Sequence, residues 1–182
     1  MLAANGVGHG DRVAIIMRND LTCCEIMRAT ALASAIAVQL NWHPTASEVA
    51  DILADCEAHL VILHRDLITA LRPTLTDRTT IGVAPTVTLT NAHGLEQGSG
   101  WAKFPEWAEL RDQQQPVSSR PAMRPMMRYT SGSTGKPKGI TRIAEPTTAG
   151  SADYYDTLRH IAVQMFGFRA DAHFMTAAPL YR

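Results

Sequence analysis

Roughly the first half of the chain alternates short apolar runs with longer stretches of helical periodicity. Residues 13–17 form an unbroken apolar run rich in β-branched residues, the pattern of a strand buried on both faces. Residues 21–37 are rich in alanine, with Ile26, Met27, Ala31 and Ala35 at helical spacing, and Asn19 or Asp20 stands where an N-cap belongs. Residues 36–40 predict a second strand. Thr45 or Ser47, with Glu48 close behind, predicts the start of a helix that runs to about Ala54. Residues 60–63 predict a third strand, 65–71 a helix stopped before Pro73, and 79–89 one or two strands interrupted by Pro85. Ahead of them all, Leu2 to Asn5 resemble the last turn of a helix capped by Gly6. Strand followed by helix, repeated, predicts an α/β fold: a mainly parallel sheet with helices on both faces.

The second half is less regular. Residues 91–100 are glycine-rich and polar, a surface loop. Residues 105–111 suggest a short helix carrying Trp107, and 112–125 form a polar, linker-like approach with three prolines. A helix beginning at Thr147 or Ser151 runs through Phe166, with Leu158, Ile161, Ala162 and Met165 at helical spacing. Residues 173–178 predict a last strand. There is no repeat of fixed period and no low-complexity tract.

Composition narrows the class without naming it. The 182 residues are 46% hydrophobic and 19% charged, ordinary values for a globular domain with a sizeable core. Seventeen basic residues balance seventeen acidic ones, so no global charge favours nucleic acid or an anionic membrane. No apolar run reaches the length of a membrane span. No basic segment followed by an apolar stretch marks a secretory leader. Cys23, Cys24 and Cys56 are odd in number and lack metal spacing, which fits reduced thiols and a cytoplasmic setting. Cys23 and Cys24 fall in the first turns of a predicted helix, where a thiol pKa can drop; packing is the plainer role. His43 beside Trp42 reads as a packed or capping residue, and His59 and His64 as surface residues flanking a strand. Asp153 and Asp156 read as a solvated helix face.

One run stands apart: Tyr129, Thr130, Ser131, Gly132, Ser133, Thr134, Gly135, Lys136, Pro137, Lys138, Gly139. Glycines let a backbone turn tightly and approach a ligand. Successive N–H groups in such a turn form an anion-binding nest. The hydroxyls add donors, and each lysine is a point charge suited to phosphate. The natural guest is a phosphate chain. The spacing is not that of a Walker A loop, which needs a glycine four residues before Gly-Lys and a Ser or Thr after the lysine. Residues 125–128 and 140–143 look extended, so the loop joins two strands rather than a strand and a helix. The plain alternative is a glycine- and serine-rich linker.

YTSGSTGKPKG resembles the phosphate-loop signature of the adenylate-forming superfamily, the acyl-CoA synthetases and their relatives. GVGHGDRVAIIMRN resembles the early strand of that superfamily. AVQLNWHPTASEVADILADCEAHLVI resembles the following segment of bacterial acyl-CoA synthetases, and the closing APLYR a later one, with Arg182 where histidine is common. The resemblance implies that residues 1–182 are part of an N-terminal domain, with the phosphate loop at 129–139 and the C-terminal domain absent. It implies ATP-dependent ligation of a small carboxylic acid to CoA through an acyl-adenylate, with ATP, Mg2+ and CoA as cofactors. Thr130, Ser131, Gly132, Ser133, Thr134, Gly135, Lys136, Lys138 and Gly139 would then hold phosphates, no catalytic residue is assigned, and the acidic magnesium ligand lies beyond Arg182. A stand-alone binding module derived from the same fold is the alternative. Two expectations follow: the 182 residues alone form no acyl-adenylate, and they self-associate through uncovered sheet, because 13–17 and 60–63 carry no lysine, glutamate or proline to guard an edge.

Overall fold

The computed structural model describes residues 2–43, 45–75, 79–83, 107–115, 126–130, 137–141, 160–169 and 171. Six strands, β1 (Arg12–Ile16), β2 (Ile36–Leu40), β3 (Leu60–His64), β4 (Thr79–Val83), β5 (Met127–Thr130) and β6 (Lys138–Thr141), join in one sheet. Its order is β4-β3-β1-β2-β5-β6. The pairs β4–β3, β3–β1, β1–β2 and β2–β5 are parallel, and only β5–β6 is antiparallel.

Sequence explains the strands' unbroken apolar character. Successive side chains point to opposite faces, and here both faces are covered. Val13, Ile15, Met17, Leu60 and Ile62 pack with Cys23 and Ile26 of α1 (Leu21–Leu32) and with Trp107 of α4 (Trp107–Asp112). Ala14, Ile16, Val61 and Leu63 pack the other way, against Val49, Ile52 and Leu53 of α2 (Ala46–Asp55) and Ile68 and Leu71 of α3 (Ile68–Leu71). Topology requires the split. From β1 the chain crosses to β2 on one side, then returns past β1 to β3 on the other. Parallel crossovers keep one hand, so helices joining strands in opposite directions fall on opposite faces. A short helix at 160–166, α5, lies further along the chain.

The caps follow local sequence. Asp20 accepts from Cys23 N–H at 2.7 Å and opens α1. Thr45 and Glu48 form a reciprocal capping box at the start of α2. Ala3–Asn5 form a 3₁₀ turn closed by Gly6 at φ 78°. Two boundaries differ from expectation. Helix α1 ends at Leu32, not near residue 37, because Ser34 takes a left-handed conformation (φ 54°) that turns the chain into β2. Alanines continue the helical signal past that point, and no glycine or proline marks the stop. The helical stretch after β3 also runs on as 3₁₀ turn through Pro73, which sits near the start of that turn, where its missing N–H costs nothing.

β1 and β3 are interior strands, so the unguarded-edge argument for residues 13–17 and 60–63 does not hold. The edges are β4 and β6, and β6 is solvent-exposed along its whole length with Lys138 at its start. The predicted strand over 79–89 is described only through Val83, while the predicted loop at 91–100, the start of the 147–166 helix and the strand at 173–178 lie outside the described residues.

Candidate functional site

The hydroxyl-, glycine- and lysine-rich run closes a hairpin. Register pairs Met127 with Thr141, Arg128 with Ile140, Tyr129 with Gly139 and Thr130 with Lys138. The segment 131–137 therefore leaves and re-enters at adjacent strand positions, and it joins two strands as its flanks suggest. Because β5 runs parallel to β2, the segment departs from the carboxyl ends of the parallel strands. Open α/β sheets bind their ligands at that edge.

Thr130 is the last residue of β5. Lys138 and Gly139 belong to β6 rather than to the loop, a correction to the expected span: the loop proper ends at Pro137 because the antiparallel ladder already starts at Lys138. Lys138 is exposed and makes no ion pair with any described residue. Ser131, Gly132, Ser133, Thr134, Gly135 and Lys136 lie outside the described residues.

Tyr129 anchors the base of this hairpin. Its hydroxyl donates to Asp55, the last residue of α2. Burial, and then that hydrogen bond, push its phenol well above the usual tyrosine range. A Cβ added at Gly139 would stand 2.9 Å from the Tyr129 Cζ and 3.0 Å from its hydroxyl, so only glycine leaves room for the ring. Beside them a recess of about 190 Å³ is lined by Asp51, Ile52, Asp55 and Pro137. Neither Tyr129 nor Asp55 stands out as a site residue in the sequence. An available signal is an acid in the last turn of a helix, where it opposes the dipole.

A second polar group lies at the carboxyl ends of β1 and β3. His64 is buried, 1% exposed, which overturns the expectation of a surface histidine. Its Nδ1 accepts from Arg18 N–H at 3.4 Å, which leaves the proton on Nε2 to be donated to Asp20 Oδ2 at 2.9 Å. Arg18 pairs with Asp66 at 2.5 Å and stacks over Trp42 at 4.4 Å from the ring centre. His43 stacks on the same Trp42, in keeping with a packed role, and His59 is exposed. These contacts tie the loops after β1, β2 and β3 together. Among the described residues no three His, Cys, Asp or Glu side chains stand close enough to hold a metal ion, and no helix is long and apolar enough to cross a membrane.

The cysteines carry no sign of activation. Cys23 is buried, and burial pushes its thiol up to about 12, with Cys24 and Asp20 adding to the shift. The helix N-terminus is thus outweighed by desolvation. In native protein at pH 8, a thiol reagent should modify exposed Cys24 quickly, and Cys23 and Cys56 only on unfolding. Rapid modification of all three would show that the α1 face is open. The sign for stability is fixed by the same shift. A thiol that titrates higher when folded stabilises below its unfolded pKa, near 9, and loses that contribution as pH climbs toward 12.

A doubly covered, mostly parallel sheet whose carboxyl edge carries a hydroxyl-, glycine- and lysine-rich hairpin segment is the frame of a phosphate-binding α/β domain. The chain belongs to the AMP-binding enzyme family, whose profile matches residues 1–181. It is 27% identical over 168 residues to the long-chain-fatty-acid–CoA ligase FadD13 of Mycobacterium tuberculosis, an alignment covering 87% of this chain and 29% of that ligase. It is 31% identical over 140 residues to the probable CoA ligase CCL9 of Humulus lupulus, covering 77% of this chain and 26% of the relative. The fold matches the O-succinylbenzoate CoA synthetase MenE of Bacillus subtilis in complex with ATP and magnesium ion, with TM-score 0.63 and 20% identity over all of this chain and 41% of that one. The chain thus spans less than half the length of the proteins it matches.

Proposed function

We propose that this chain supplies the phosphate-binding part of an ATP-dependent acid–CoA ligase. The observation that carries the reading is the hairpin: a segment rich in hydroxyls, glycines and lysines, clasped between Thr130 and Lys138 at the carboxyl edge of the sheet. Membership of a family whose matched relatives are CoA ligases supports it. MenE, a structural relative, is a complex with ATP and magnesium.

In this reading, Thr130, Ser131, Ser133 and Thr134 offer hydroxyls to the phosphates of ATP. Gly132, Gly135 and Gly139 allow close backbone approach. Lys136 and Lys138 supply positive charge. Lys138 fits the role on its own geometry, being exposed at the mouth of the hairpin with no described acid to neutralise it. Donors fixed in advance toward the leaving pyrophosphate lower the barrier to carboxylate attack on the α-phosphate, since they need no reorganisation as charge builds. CoA thiol then displaces AMP from the acyl-adenylate. The described residues offer no carboxylate cluster for magnesium, so the ion would be held chiefly by the phosphates. The substrate is a small carboxylic acid.

Calorimetric titration of the chain with ATP and magnesium tests the reading. Binding should be measurable, and Lys138→Ala should weaken it about tenfold, the usual loss for one charge-assisted contact. Without the motifs that the resemblance places outside it, the 182-residue chain should bind ATP yet exchange no pyrophosphate into it. Equal affinity in wild type and Lys138→Ala would remove the basis for assigning phosphate to this hairpin.

A further inference from the structure

The base of the hairpin is built in a way that phosphate binding by itself does not explain. Asp55 ends α2, where its charge meets the negative end of the helix dipole. Asp51 precedes it by one turn, and like charges at that spacing repel. Nothing local compensates. The partner of Asp55 is Tyr129, 74 residues away, whose hydroxyl it accepts. Tyr129 in turn packs against the apolar cluster that α2 covers. Across the strand pair its ring faces Gly139, where a Cβ at 2.9 Å from Cζ would displace it. One ring thus touches both strands of the hairpin within one or two residues of where the segment 131–137 begins and ends, and it is fixed at its far end to a helix on the sheet's face. Pro137, the segment's last residue, lines the recess with Asp51 and Asp55.

We infer that Tyr129, held by Asp55 and seated on Gly139, is a positioning residue that sets the direction in which the 131–137 segment meets its anion. The inference rests on the phosphate-binding reading above. It extends that reading to three residues, one of them on α2, that touch no phosphate. A segment this rich in glycine has many conformations of similar energy, so its ends must be fixed for its donors to converge. The β5–β6 ladder fixes the distance between those ends. The phenol–carboxylate contact fixes the tilt of the hairpin against α2.

The experiment has two arms. The first follows the contact itself. The chain has four tyrosines, and the wild-type ultraviolet titration minus that of Tyr129→Phe isolates one phenol. That phenol should stay protonated at pH 10, where an ordinary tyrosine is half ionised, and Asp55→Asn should return it toward the ordinary range. The second arm measures ATP and pyrophosphate affinity for Tyr129→Phe, Asp55→Asn and the double variant, with folding checked by circular dichroism. Each single change should weaken binding about fivefold, as for one lost hydrogen bond. The double change should cost no more than either single, because the two groups act as a unit. Gly139→Ala, which displaces the ring instead of the hydroxyl, should weaken binding as well. A phenol that titrates normally in wild type, or is unmoved by Asp55→Asn, overturns the inference whatever the binding data show. Full affinity in the variants, or additive losses, overturns it too. A wild-type chain that binds neither ATP nor pyrophosphate overturns the phosphate reading and the positioning role with it, while the titration still reports whether the contact exists.

Discussion

Trp107→Ala should destabilise the protein by about 3–5 kcal/mol, the range for removing a buried aromatic side chain. Trp107 is 2% exposed and belongs to the cluster formed by α1 and the faces of β1 and β3 that it covers. It opens a helix of six residues, too short to persist without tertiary contacts. The indole is therefore the anchor that docks α4, assisted by Leu110 packed on the same cluster. Outside that anchor, the Arg111–Glu25 pair at 3.1 Å is half-exposed and adds little. The indole Nε1–H is buried and meets no acceptor among the described residues. Trp107→Phe removes that orphan donor along with part of the volume, so it should cost clearly less than alanine. Urea unfolding of the three proteins measures both differences. A loss below about 1 kcal/mol for alanine, at the level of a surface change, would mean that α4 is not docked as described.

Asp20→Ala should cost about 2–4 kcal/mol, because the carboxylate serves two elements at once. Oδ1 caps α1 by accepting from Cys23 N–H, and Oδ2 accepts from His64 Nε2 at 2.9 Å. Loss of a cap costs about 1 kcal/mol, and a buried imidazole N–H left without an acceptor costs about 1–3 kcal/mol more. Both partners are almost fully buried, with side-chain exposures of 2% and 6%, so water replaces neither contact. Asp20→Asn keeps an acceptor for the helix and should fall between wild type and alanine. A thermal melt of each variant decides it. If asparagine and alanine prove equally harmless, the His64 contact contributes nothing and the cap is the whole effect.

Much of the fold could be read from local pattern. The runs around 13–17, 36–40 and 60–63 are strands because apolar side chains on both faces leave no other way to bury them. Thr45 and Glu48 announce α2 because their bonds span three residues. The stop of α1 was not legible: Ser34 in a left-handed conformation has no sequence mark, and its backbone carbonyl is bonded by Gly10 N–H, a residue 24 positions earlier. His64 looked like a surface residue because it follows a strand, yet the strand's alternation turns it toward the buried face, where Asp20 waits on α1.

The site divides along the same line. Sequence alone determined the phosphate-suited composition of 129–139, and with it the resemblance and the family, because hydroxyls, glycines and lysines at those spacings are a property of one contiguous stretch. Tertiary structure decided the rest. It put Lys138 and Gly139 into a strand, made β1 and β3 interior rather than edge strands, and joined Tyr129 to Asp55 and His64 to Asp20. The physical reason is range. Periodicity and caps act within a turn or two of the chain and are written where they act. A hydrogen bond between residues 74 positions apart depends on where the sheet and its helices bring them, and neither partner carries a local sign of the other.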